Sequence, residues 1–538
     1  MNPMPRRILV GGRPLIRYFT QLPRSRPQLP YLHHSSPRPR TFYARLLTTE
    51  RKAWLKMELR WGIYVLSSGV LLFIAAYGFE QEKMEREFPS PHEYTFWSRK
   101  LYRANRVHDS EKLRDAGGVS WQFSGERYIQ LLKRLEDPEI DGAGLVQQGE
   151  DESQILIPGV GRSGYDITAK PENWRRGYYE ALLGAARAAE FLDSCTKDKT
   201  RDLVFAKVAV IGPSNPNPRP LPPGSPAPPH EEDCEPAYLP PETFYMRILT
   251  TTGFTDAQRL YAALAYASWL DYKGTPEAAG EMFKWGLDIA KSGIAEPDSV
   301  VDPVTHTIKP TAVAPSRNVL RATTAMAEHK ARNKDLAGAL PIFLSVLRAR
   351  RALPPGPPKQ VEDRGGLVKQ TVDLVKYALI PPEFPPPPPD GNLAPTRGPE
   401  ERCEEAALMA WIGEIMYASA SDTVGKESGL AWTRESVDVA EEELRVGVKE
   451  DRVCRQCLQT GLDNWSQMVG KLAKEEKKRR KEGGGVVKKG WFGRGEEVVE
   501  EGVGRWEAEE RLVRMRFKRA RDVLDVEKVD LSKLYIFR

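Results

Sequence analysis

Between residues 61 and 79 the chain carries no charged side chain, and between residues 1 and 49 it carries no Asp, Glu or Lys. Other absences narrow the chemistry. The 7 histidines never fall in a metal-ligand spacing such as HExxH, and no phosphate-binding GxxxxGK[ST] run or GxSxG nucleophile turn is present. Five cysteines in 538 residues are too few and too scattered to staple a chain of this size, and the twin CX9C pattern is missing. With no motif for a metal, a nucleotide or an activated nucleophile, the sequence is read as non-enzymatic and without a cofactor or metal. Cys454-Arg455-Gln456-Cys457 has CxxC spacing without a second pair, so it leaves only a redox or disulfide role open. Gly159-Val160-Gly161-Arg162-Ser163-Gly164 matches GxGxxG, but Pro171 and turn formers follow where a helix would have to open, which excludes a dinucleotide site.

The uncharged stretch 61–79, closed by Arg60 and Glu80, is long enough as a helix to span roughly 28 Å, close to the ~30 Å hydrocarbon core of a bilayer. Trp61, Tyr64 and Tyr77 stand near its ends, where amphipathic rings favour the headgroups. A buried soluble helix of that length would show a polar face; this one has none. Residues 61–79 are therefore expected to form a single transmembrane helix. Residues 1–60 hold 13 basic against 2 acidic side chains, leaving the other 478 residues with 67 basic against 72 acidic. Positive-inside asymmetry puts the amino terminus and the long carboxy-terminal part on opposite sides. Nine Arg among Ser, Thr and apolar residues make 1–49 read as a mitochondrial presequence. This predicts an inner-membrane protein with its amino terminus in the matrix and its bulk in the intermembrane space. A secretory-pathway signal anchor is the alternative, for which Asn464-Trp465-Ser466 is the one glycosylation sequon.

Beyond the span the expectation is all-α. Residues 50–60 form a basic flank and 80–118 a juxtamembrane helix and linker, packed down by Phe88, Tyr94, Phe96, Trp97, Leu101 and Tyr102. A helical domain follows over 119–475. Helical stripes run through Tyr128, Leu131, Leu132 and Leu135, and through Tyr178, Leu182, Ala185, Ala189 and Leu192. Only 155–157 and 204–211 read as strand-like, as local decorations. Proline makes up 44 of 538 residues, about 8% against a usual ~5%. It clusters inside the expected loops 212–241, 292–316 and 353–400, which read as insertions between helices or as polyproline ligands. Residues 476–504 read as a flexible charged and Gly-rich linker; the basic run 477–481 is a solvated helix end, and no nucleic acid is expected. Residues 505–538 give a final helix and tail, with Trp506, Leu512, Met515, Phe517 and Leu524 as its apolar set.

One pattern repeats. Ala267, Ala279, Phe283 and Leu287 recur 60 residues later as Ala327, Ala339, Phe343 and Leu347. Small residues let two helices cross closely while an aromatic fills the seam to the next pair, as in a helix–turn–helix repeat. A third unit is expected at 406–417, with 431–444 as its partner helix. These residues resemble the tetratricopeptide family, whose ~34-residue unit plus a loop of about 26 residues accounts for the shift. The pattern departs from the family at its opening Trp (Ala263 and Thr323 stand there) and its closing Pro (Lys291 and Arg351). An unrelated helical bundle is the alternative. The resemblance implies a concave face built from first helices, here Tyr261, Ser268, Asp271 and Tyr272, then Arg321, Thr324, Glu328 and Arg332. That face would bind extended protein segments, or be simply solvated. Presequence, span and repeats together are similar in architecture to fungal tetratricopeptide adaptors of the inner-membrane i-AAA protease, which implies that protease and unfolded substrates as partners. Scaffolding of a respiratory or import complex would use the same surface.

Overall fold

The computed structural model describes residues 49–110, 120–147, 164–312, 314–356, 382–446, 452–483 and 504–524. The chain forms two units, 1–82 and 83–538. Helix α1 (Thr49–Glu87) is longer than the expected span, because its basic and acidic flanks are good helix formers and continue it at both ends. Its most apolar 18-residue window has a mean hydropathy of 1.8 and none of it is buried, so α1 is long and apolar enough to cross a membrane. Apart from Thr49, the expected presequence lies outside the described residues.

The second unit is mostly helical. Helices α2 (Phe96–His108) and α3 (Trp121–Glu136) come first. Strands β1 (Val146–Gln147) and β2 (Tyr165–Asp166) pair antiparallel. Then come α4 (Glu172–Leu192) and a small antiparallel sheet of β3 (Cys195–Asp198), β4 (Leu203–Ala206) and β5 (Cys234–Pro236), in the order β4-β3-β5. Helices α5 (Pro241–Thr250), α6 (Asp256–Tyr272), α7 (Pro276–Ser292) and the single turn α8 (Pro297–Val300) follow. After them come α9 (Arg317–Arg332), α10 (Leu336–Arg351), α11 (Pro399–Ser419), α12 (Thr423–Val446), α13 (Arg452–Gly483) and α14 (Arg505–Leu524). The long helices pack mainly on their neighbours in sequence, and α9 packs on both α6 and α7.

Local chemistry sets the boundaries of the central pairs. Thr255 opens α6 with a capping box, its hydroxyl accepting from the Gln258 amide while its own amide donates to Oε1 of Gln258. Gly274, at φ +79°, and Pro276 turn the chain into α7. Ser316 and Asp335 cap α9 and α10 through the amides of Val319 and Gly338. All eight recurring residues are buried: Ala267, Ala279, Ala327 and Ala339 are fully enclosed, and Phe283, Leu287, Phe343 and Leu347 fill the seams.

Several expectations are corrected. Tyr94 and Tyr102 are buried, but Phe96 and Trp97 face outward, because the turn of α2 that buries Tyr102 points its first residues away. Strand β4 takes only the beginning of 204–211; Val208 and Ile211 are exposed, and 155–157 lies outside the described residues. The loop 212–241 contributes β5 to a sheet. The linker expected from residue 476 is helical up to Gly483, since Glu476 and Arg480 pair at 2.9 Å one turn apart and the cations suit a helix carboxy end. In α14 the core side is Trp506, Val513 and Ala520, whereas Leu512 and Met515 are exposed. The sequon sits in the middle of α13, where Trp465 is buried and the half-buried Asn464 donates to Glu414. Gly164 bonds the Thr250 hydroxyl and leads into β2, as expected of a segment that opens no helix.

Cys454 is bonded to Cys403, joining α13 to α11 across 51 residues of sequence, rather than to its CxxC neighbour Cys457. Cys457 is buried one turn further along, its Sγ 3.7 Å from the Cys403 carbonyl.

Candidate functional site

The proline-rich residues from 382 to 393 are fastened to the chain's own helices. The Arg176 guanidinium lies 4.7 Å from the centre of the Phe384 ring and donates to the carbonyls of Pro385 (2.8 Å) and Pro386 (3.1 Å). Further along, Asp390 accepts from the Ala257 amide at the start of α6, an anion at a helix amino terminus. The Asn318 amides donate to the carbonyls of Asp390 and Gly391, and the Arg317 amide to that of Leu393, at the start of α9. Proline supplies carbonyls without competing donors, so such a segment suits a surface rich in amides and guanidinium groups.

Beside this segment lies a cavity of about 280 Å³ between α2, α3, α4 and α6. On α2 and just past its end, Tyr102, Asn105, Arg106 and Asp109 follow the i, i+3, i+4, i+7 spacing that puts them on one side. Tyr128 of α3 forms another wall; Gly184 lets its ring approach α4, since a Cβ there would stand 2.1 Å from Cζ of Tyr128. Tyr179, Glu180 and Arg187 come from α4 and Tyr261 from α6.

The charges of the lining are paired. Arg106 meets Glu180 at 3.3 Å, and Arg187 meets Asp109 at 3.0 Å while donating to the Tyr261 hydroxyl at 3.1 Å. Tyr102 donates to Glu180. Burial opposes the charge on Arg187, but Tyr261 and Asp109 outweigh it and raise its pKa. Burial also drives the phenols of Tyr102, Tyr128 and Tyr179 well up, so they stay neutral. Asn105 stands apart. It is 1% exposed, and neither its Oδ1 nor its Nδ2 has a hydrogen-bond partner among the described residues. Each such unmade buried group costs about 1–3 kcal/mol.

The eight residues expected to form a binding face separate here. Tyr261 lines the cavity and Arg321 lies 5.6 Å over its ring. Asp271 is used internally: its carboxylate bonds Nδ1 of His329 at 2.9 Å with only 9% of its side chain exposed. Glu328 and Arg332 pair with each other at 3.2 Å, and Thr324 donates to the Leu320 carbonyl. Ser268 is exposed, as is Tyr272 at 86%. Asn105, Tyr128, Tyr179 and Arg187 were not legible as site residues. The one signal was on α2, where the buried Tyr102 and Asn105 fall at helical spacing with Arg106 and Asp109. Among the described residues no cluster of His, Cys, Asp and Glu could hold a metal ion.

The chain matches no family model, no curated protein and no solved structure.

Proposed function

We propose that this protein is a membrane-tethered binding protein of tetratricopeptide-like helix pairs that takes up segments of other proteins. The carrying observation is the cavity between α2, α3, α4 and α6, where an enclosed amide, Asn105, lacks the partners its chemistry requires. Burial of the small residues and aromatics at the 60-residue recurrence supports the repeat reading. The uncharged, unburied stretch of α1 supports a single span, and the asymmetry of flanking charge supports an amino terminus in the mitochondrial matrix. The Cys403–Cys454 bond supports an oxidising surrounding for the helical unit, as the intermembrane space provides. In this reading the protein is an adaptor of the inner membrane that presents unfolded substrates to a membrane AAA protease of the i-AAA type.

A second reading, a scaffold for assembling a respiratory or import complex, uses the same surface. Crosslinking in intact mitochondria separates them: a hexameric protease among the captured proteins supports the adaptor, respiratory or import subunits the scaffold. Protease protection on mitoplasts and alkaline carbonate extraction test the anchoring. Protein released by carbonate, or a carboxy-terminal part shielded within the matrix, overturns it. Disulfide bonding suits the secretory route equally well, so residence there is tested by fractionation and by glycosylation at Asn464.

A further inference from the structure

We infer that the outward side of α14 is a docking surface for the headgroups of an anionic phospholipid bilayer, the one to which the chain is tethered. This goes beyond the binding reading above and rests on its membrane tether. Helix α14 has two unlike sides. Trp506, Val513 and Ala520 are buried, while Arg516 pairs with Asp438 of α12 at 2.5 Å and lies 5.4 Å over the Trp465 ring of α13. At about 100° per residue, the opposite side carries Ala508, Arg511, Leu512, Met515, Lys518 and Arg519. All six are exposed, Met515 at 61% and Leu512 at 45%.

Charge and pattern narrow the partner. From Arg511 to Arg521 the helix has six basic residues, and its next acid is Asp522. Arg511 and Arg514 pair with Glu507 and Glu510 one turn back, yet keep 62% and 73% of their side chains exposed. Lys518 and Arg519 have no anionic partner among the described residues. Leu512 and Met515 stand between these cations. A helix of that pattern lies in the plane of a bilayer surface, its apolar side chains below the headgroups and its cations at the phosphates. A nucleic-acid backbone would meet the cations but leave Leu512 and Met515 in water. Two apolar side chains and a few cations hold a free protein only weakly on a membrane. For a chain already anchored by α1 the docking step is intramolecular, so weak contacts suffice.

The test uses the full chain with a bimane fluorophore at Met515→Cys; the half-buried free cysteines Cys195 and Cys234 are changed to Ser. It is placed in nanodiscs of phosphatidylcholine alone or mixed with phosphatidylglycerol, each holding nitroxide-labelled lipid that quenches bimane on contact. Quenching is expected in the phosphatidylglycerol discs and not in phosphatidylcholine alone, and high salt should relieve it. Lys518→Glu with Arg519→Glu should lower the ratio of docked to free α14 by roughly tenfold or more. If a labelled variant fails to fold, hydrogen exchange of residues 511–521 in the unaltered chain decides, since docking makes it slower in phosphatidylglycerol discs. Equal quenching in both discs, none in either, or quenching that survives the charge reversal overturns the inference. Binding of poly-uridine that the reversal abolishes, without quenching, overturns it in favour of nucleic acid. Alkaline carbonate extraction of the chain from vesicles is measured alongside. Retention without quenching overturns this surface alone, and release overturns the tethered reading as well.

Discussion

Glu85→Leu is expected to be among the most destabilising single changes in the helical unit. In the last turn of α1 the Glu85 carboxylate accepts from the Ser90 amide (2.9 Å) and hydroxyl (2.7 Å), pairs with Arg99 at 3.0 Å and bonds Arg103. The two side chains of the Glu85–Arg103 pair are 6% and 5% exposed, so solvent screens them little. Removing one partner of such a pair leaves a charge inside and costs about 3–5 kcal/mol. With a urea dependence of about 3 kcal/mol per molar or more for a unit of this size, the midpoint falls by at most roughly 1–1.7 M. Replacing both partners by apolar residues, Glu85→Leu with Arg103→Leu, should recover most of the loss, because no buried charge then remains. Burial works to raise the carboxyl's pKa, but Ser90, Arg99 and Arg103 outweigh it and hold it below its ordinary 4.5. Its folded value is therefore the lower one. The contribution is full above pH 4.5 and is lost as pH falls through the folded value, so the original chain should lose more stability below pH 4 than the double variant does. Urea unfolding of the full chain in micelles, followed by helical circular dichroism, measures each variant. A single-variant cost under about 1 kcal/mol, or two substitutions whose costs simply add, would refute the reasoning.

Two further outcomes follow from geometry. Reduction of the Cys403–Cys454 bond, which closes a loop of 51 residues, should lower stability by up to about 4 kcal/mol in the chain-entropy account; unreduced protein in which all five cysteines alkylate would show the bond is not formed. Gly184→Ala should lower the thermal midpoint by the equivalent of about 1–3 kcal/mol, since its methyl group collides with the Tyr128 ring, and an unchanged midpoint would mean that ring does not pack on α4.

Much of the helical framework was legible because burial on one side of a helix leaves a period in the sequence. Tyr128, Leu131, Leu132 and Leu135 of α3, like Tyr178, Leu182, Ala185, Ala189 and Leu192 of α4, were expected at core spacing and are buried. The same spacing misled where a helix has few neighbours. In α14 the burial of Trp506, Val513 and Ala520 depends on the angle at which α14 meets α13, and the hydrophobic residues alone do not encode it. The binding face was half legible. Tyr261 lines the cavity with Arg321 over its ring, yet Asp271 was diverted to His329, 58 residues away.

By itself the sequence determined the uncharged helix, its asymmetric flanks, the helical class of the rest and the recurrence of small and aromatic residues. Each of these is a matter of composition or of a period set by one helix. Only the tertiary structure decided that Cys454 bonds Cys403 instead of Cys457, that the proline-rich segment lies on α4, α6 and α9, and that Asn105 is shut in without partners. These depend on which faces of distant segments meet. Such pairings leave no periodic trace along the chain, because they arise from helix crossing angles and close approaches, like that of Tyr128 over Gly184, which are set when the helices pack.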